Sequence, residues 1–183
     1  MKLFNSMHNE IEKIQPLIEN EISMYVCGPT VYNDAHVGNA RPIIVFDTLK
    51  KTLEELGYKV HFVSNYTDVD DKIINKAKEL QVAEKEVSER FIEAYQKVRT
   101  QLHADTPDAC PRVTQTMDEI IAFIDLLVKN KYAYAVDGDV YFRVSAVADY
   151  GCLSNQQIQD LQVGARIDEN TKKENPLDFT LWK

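Results

Sequence analysis

Two short apolar runs on either side of a helical stretch constrain this chain more than any other feature. Met24-Tyr25-Val26-Cys27 is stopped by Gly28-Pro29, and Val60 to Val63 is closed by Ser64-Asn65, so both runs read as buried strands. Between them Ile43, Ile44, Phe46, Leu49, Leu53 and Leu56 recur at helical spacing. Gly57 stands where a helix C′ glycine belongs. Strand, helix and strand within about forty residues predict a βαβ unit with a right-handed crossover and a parallel sheet. The fold class is therefore α/β. Ligands of such sheets bind beyond the carboxyl ends of the strands, which here are Cys27–Thr30 and Ser64–Asp68.

Further along, the spacing predicts one helix starting near Asp68, with Ile73, Ile74, Ala77 and Leu80 on one face. A second covers about 83–103 with Val87, Phe91, Tyr95, Val98 and Leu102, and a third carries Ile120, Ile121, Ile124, Leu127 and Val128. The period then changes to two. Tyr132, Tyr134 and Val136 alternate, Asp137-Gly138 makes a tight turn, and Val140, Phe142 and Val144 alternate back, which predicts a β-hairpin. A hairpin does not extend a parallel sheet by winding, so it opens an insertion.

Composition excludes several function classes. The 29 acidic against 21 basic residues give a formal charge of −8, which argues against a module gripping nucleic-acid phosphates over its whole surface. Cys27, Cys110 and Cys152 are odd in number and widely spaced, which suits a reducing compartment better than a disulfide framework. No apolar run reaches membrane-spanning length and the first residues lack a signal-peptide core, so the expected location is the cytoplasm, with no membrane partner.

The chemistry concentrates in Cys27-Gly28-Pro29-Thr30-Val31-Tyr32-Asn33-Asp34-Ala35-His36-Val37-Gly38-Asn39-Ala40-Arg41, a strand end, a loop and the first turn of a long helix. A helix N-terminus offers unpaired N–H groups and partial positive charge, which favour phosphate. His36 and Asn39 lie three apart on one side of that turn, and both can donate to phosphate oxygens. Gly38 has no side chain, so a flat ring can approach the backbone there. The set suits an ATP whose α-phosphate is attacked by a carboxylate. Plainer readings stand beside this one. His36 can be a cap or a surface residue, Asn39 a helix N-cap, and Cys27 a small buried hydrophobe at a strand end. Thr67 with Asp70 can form a capping box. Asp68, Asp70 and Asp71 read as helix-start charges in place of a metal cluster.

Taken together these motifs resemble the cysteine–tRNA ligases, a family of class I aminoacyl-tRNA synthetases. Residues 24–33 look like the family's opening strand and zinc-cysteine loop. His36-Val37-Gly38-Asn39-Ala40-Arg41 is similar to its His-Ile-Gly-His or His-Ile-Gly-Asn signature, and Asn65-Tyr66-Thr67-Asp68-Val69-Asp70-Asp71-Lys72 to its second-strand motif. Tyr150-Gly151-Cys152-Leu153-Ser154 and Gly164-Ala165-Arg166 look like its inserted region, and residues 175–183 like the return toward the catalytic core.

The resemblance implies the first half of a Rossmann-like (HUP-type) nucleotide-binding domain with an inserted, hairpin-containing connective subdomain. The expected division is 1–130 for the nucleotide-binding half, 131–175 for the insertion and 176–183 for the return. It implies that Cys27 is one of four ligands of a Zn2+ ion that binds the substrate thiolate, that Cys27, Gly28 and Thr67 contact L-cysteine, and that His36, Gly38 and Asn39 contact ATP with its Mg2+, His36 and Asn39 being catalytic. Expected partners are L-cysteine, ATP and tRNA(Cys), and the expected state is a monomer. The family's Lys-Met-Ser-Lys-Ser loop is absent from this sequence, so the expectation is an incomplete N-terminal part, inactive by itself. The rivals are a cysteine-activating ligase acting on an amino sugar, and a truncated, non-catalytic relative serving as a binding module.

Overall fold

The computed structural model describes residues 1–155 and 172–183, so the expected Gly164-Ala165-Arg166 segment lies outside the described residues. Close packing divides the chain into two units, Pro16–Met117 and a second made of Met1–Gln15 with Asp118–Lys183. The second unit begins with strands β1 (Lys2–Asn5) and β2 (Glu10–Lys13), paired antiparallel. The sequence reading holds no such hairpin, because both strands are short and largely exposed and so show little apolar alternation.

The Pro16–Met117 unit is built on the expected βαβ. Strand β3 (Glu21–Val26) and strand β4 (Lys59–Ser64) pair in parallel, in register from Glu21 against Lys59 to Val26 against Ser64. Helix α1 (Val37–Glu55) crosses between them and ends at Leu56, followed by Gly57 in the left-handed region. Residues 108–112 run alongside β4, with Ser64 N donating to Ala109 O at 3.1 Å and Tyr66 N to Pro111 O at 2.9 Å. Helices α2 (Asp71–Leu80) and α3 (Glu84–Gln101) pack on each other. Their core is Val31, Tyr66, Ile73, Ala77, Val87, Phe91 and Ile92.

Burial differs from the apolar pattern on α1. Ile43 and Leu53 are buried as expected, but Ile44 and Leu56 are exposed, and Asp47 and Lys50 are buried in their place. Asp47 accepts from Asp105 N at 2.7 Å and from Lys51 Nζ at 2.9 Å, and Lys50 pairs with Glu54 at 2.8 Å. A buried polar group is tolerable once it is hydrogen-bonded, and these partners come from the loop after α3 and from the same helix.

Tyr66, 4% exposed, has its phenol pushed up to about 12 by burial first and by the nearby Cys110 thiol second. Burial also pushes Tyr134 up to about 12. The ordinary value is 10.0. An unfolded chain therefore ionises these phenols before the folded one does. Their contribution is fully present below pH 10 and is lost as pH rises toward 12, by about 1.4 kcal/mol per pH unit per group at most. Denaturant unfolding across that window is expected to show falling stability, with a shallower fall in Tyr66→Phe; an equal slope in both proteins counts against the coupling.

Helix α4 (Met117–Lys129), which belongs to the other unit from Asp118 onward, buries Ile124 and leaves Ile121, Phe123 and Leu126 exposed. Strands β5 (Ala133–Val136) and β6 (Asp139–Phe142) form the expected hairpin, and both Asp137 and Gly138 have positive φ, as a two-residue turn requires. Strand β7 (Phe179–Trp182) pairs antiparallel with β6, so the segment expected to lead back toward the catalytic core forms a third strand on the hairpin. Asp178, 1% exposed, holds this sheet by accepting from Tyr134 OH at 2.7 Å and Val144 N at 3.0 Å. Among the described residues no helix is long and apolar enough to cross a membrane.

Candidate functional site

The carboxyl ends of β3 and β4 are joined more tightly than their strand register alone requires. Beyond the strands, Thr67 N donates to Pro29 O at 3.1 Å and Val31 N to Thr67 O at 3.2 Å, so the two exits continue in parallel. The Asn65 side chain bridges them. Its Oδ1 accepts from Gly28 N at 2.9 Å and Tyr25 OH at 3.0 Å, and its Nδ2 donates to Thr67 Oγ1 at 3.4 Å. Gly28 lies so close to this crossing that an added Cβ would sit 1.6 Å from the Asn65 carbonyl oxygen. Its first role is close backbone approach.

Helix α1 starts with His36 as N-cap, in extended conformation. His36 Nδ1 accepts from Gly38 N at 2.9 Å, and Asn39 Oδ1 accepts from His36 N at 3.0 Å. This corrects the reading of Asn39 as N-cap: Asn39 is the third helical residue and closes a reciprocal box with His36. A Cβ on Gly38 would lie 2.5 Å from His36 Cε1, so the absence of a side chain there leaves room for the His36 imidazole.

Capping leaves each side chain a spare donor. With Nδ1 accepting, the proton of the neutral imidazole is on Nε2, and the Asn39 amide keeps Nδ2. Neither has another hydrogen-bond partner among the described residues. Pro42, inside the helix, has no N–H to offer the Gly38 carbonyl one turn back. His36 and Asn39 line a small cavity of about 120 Å³ under the 29–36 loop, walled by Phe91 and Tyr95 of α3. A larger open groove, about 670 Å³, lies in the other unit against Phe4, Tyr150 and Leu153 and contains none of these residues.

The aspartates do separate jobs. Asp70 caps α2 through Lys72 N at 2.8 Å, so Thr67 is not its cap. Asp71 lies in the first turn as expected. Asp68 is 6% exposed and accepts from Thr114 N and Oγ1 at 3.1 and 2.5 Å, so it is a buried clamp on the 113–115 turn and no helix-start charge. The adjacent Asp-x-Asp-Asp pattern hid this, because Thr114 is 46 residues away.

Cys27 is exposed at the end of β3, which removes the buried-hydrophobe reading. Burial raises the Cys110 thiol and packs it beside the core, while Cys152 is exposed. Zinc needs three or four convergent ligands. Among the described residues no group of three or more His, Cys, Asp or Glu can hold a metal ion, so the residues present do not form a zinc site by themselves.

The family described as the tRNA synthetases class I (C) catalytic domain matches residues 13–183. The chain belongs to this family. The cysteine–tRNA ligase of Exiguobacterium sibiricum is 54% identical over 183 residues, covering 100% of this chain and 39% of that protein. Those of Anoxybacillus flavithermus and Caldicellulosiruptor saccharolyticus are 51% and 49% identical with the same coverage. The chain thus spans 39% of the length of these curated relatives. Among solved structures, the Agrobacterium radiobacter K84 LeuRS in complex with tRNA and LeuAMS aligns with TM-score 0.52 and 19% identity, over 66% of this chain and 15% of that one. A putative arginyl tRNA synthetase from Campylobacter jejuni aligns at 0.50 and 17%, over 76% and 40%. These two bear on the fold alone, and with the family they bear out the expected α/β class I architecture with a parallel strand pair.

Proposed function

We propose that this chain is part of an enzyme that activates L-cysteine with ATP and transfers the cysteinyl group to tRNA(Cys). The observation that carries this reading is the capped N-terminus of α1, with unspent donors on His36 and Asn39, in a chain whose curated relatives are cysteine–tRNA ligases. A carboxylate oxygen of the amino acid attacks the α-phosphorus, the bond to the β-phosphate oxygen breaks, and pyrophosphate leaves with that electron pair. His36 Nε2–H, Asn39 Nδ2 and the helix N-terminus stabilise the charge that builds on the phosphoryl oxygens. Gly38 admits the imidazole that presents this donor. Gly28 and Thr67 form the wall of the amino-acid pocket at the joined strand ends.

Cys27 is proposed as the one zinc ligand this stretch contributes, with the other donors outside the described residues. Zinc would supply selection for a thiol over a hydroxyl, since a soft metal–sulfur bond discriminates where pocket size gives only about 1–3 kcal/mol. The division at 130/131 and 175/176, a monomeric state and a cytoplasmic location belong to the same proposal. The test is incubation of the complete natural protein with ATP, tRNA(Cys) and labelled cysteine, which is expected to yield cysteinyl-tRNA. In Cys27→Ser, bound zinc and cysteine-dependent pyrophosphate exchange are both expected to be lost. Unchanged metal content together with unchanged exchange refutes the ligand role. Label appearing on an amino sugar in place of tRNA replaces the acceptor.

A further inference from the structure

The residue that ties the proposed pocket together, Asn65, opens the second-strand motif but has no role assigned to it by the sequence. Asn65 Oδ1 accepts from Gly28 N and from Tyr25 OH. A backbone N–H can only donate, so this end of the amide is the oxygen and the other end is the NH2 group. That NH2 faces Thr67 Oγ1 at 3.4 Å and must donate to it. The Thr67 oxygen is therefore an acceptor toward Asn65, and its own proton has no acceptor among the described residues. The backbone N and O of Thr67 are already committed to Pro29 O and Val31 N, which leaves the hydroxyl as the part of this residue free for a ligand.

We propose that Asn65 is a positioning residue for the amino-acid pocket: its amide locks the two strand ends and leaves the Thr67 hydroxyl as a donor to the carboxylate of the bound amino acid. This rests on the proposed function, but its logic concerns any amino acid bound there.

Asn65→Asp in the complete natural protein separates the effects. The new carboxylate keeps both acceptor bonds and the shape, but it replaces the donating NH2 by an acceptor. The Thr67 hydroxyl then turns to donate to it and is withdrawn from the substrate. The expected result is a rise of about tenfold or more in KM for cysteine in pyrophosphate exchange, with KM for ATP and the unfolding midpoint nearly unchanged. In a Thr67→Val background the same substitution is expected to add nothing. Calorimetric cysteine binding gives the same comparison where exchange is too slow to follow. An unchanged KM for cysteine, an equal rise in the Thr67→Val background from charge repulsion alone, or a midpoint loss that tracks the activity loss overturns the proposal. If the parent protein exchanges with a different amino acid, the cysteine reading fails while the Asn65 comparison on that amino acid still decides this one.

Discussion

Gly28→Ala is expected to cost at least about 3 kcal/mol of folding stability, at the upper end of overpacking. The unfolding midpoint should fall by roughly 6–12 °C for a chain of this size. The added methyl would lie 1.6 Å from the Asn65 carbonyl oxygen and 2.8 Å from its carbonyl carbon, both main-chain atoms that cannot rotate away. Relief requires β3 and β4 to separate at their carboxyl ends, which breaks the Gly28 N–Asn65 bond and the Thr67–Pro29 and Val31–Thr67 bonds beyond it. Gly57→Ala is the control. Gly57 has φ +89° and nothing within 4 Å of an added Cβ, so it carries backbone strain alone, about 1–2 kcal/mol. A Gly28→Ala protein as stable as the Gly57→Ala protein would show that the strands give way easily and that Gly28 serves the ligand alone.

His36→Ala is expected to slow adenylate formation by about 100-fold or more, the usual cost of losing one preorganised donor at developing charge. Cysteine binding should change far less. The substitution also removes the cap, worth about 1 kcal/mol, so stability falls as well. His36→Asn separates the two. Asparagine is a good N-cap and restores the acceptor for the first-turn N–H, but it has no ring nitrogen to carry the donor held by Nε2. Recovered stability with the rate still depressed is the expected pattern in single-turnover measurements. Recovery of both, or an equal loss of rate and cysteine affinity in His36→Ala, would assign His36 to structure alone.

The local elements were legible wherever a few neighbouring residues decide the outcome. The stop at Gly28-Pro29, the left-handed Gly57 and the Asp137-Gly138 turn each follow from short-range backbone preferences, and the structure has all three. The helical spacing also marks Ile73 and Ala77 on α2 and Val87 and Phe91 on α3, and all four are buried. Local sequence carries no signal where partners are distant in the chain. Nothing near Asp47 announces Asp105, nothing near Asp68 announces Thr114, and nothing near Asp178 announces Tyr134, so the burial of these carboxylates rests on contacts that local sequence does not show.

The same division holds at the candidate site. The sequence by itself determined that a helix starts after a strand exit bearing Cys27, His36, Gly38 and Asn39, and, through its likeness over the whole chain, the family. Only the tertiary structure decided that His36 rather than Asn39 is the cap, that Gly38 seats the imidazole, and that Asn65 couples Gly28 to Thr67. The physical reason is that a hydrogen bond depends on a few ångströms and an angle, and for groups dozens of residues apart those are set by chain packing, not by local sequence.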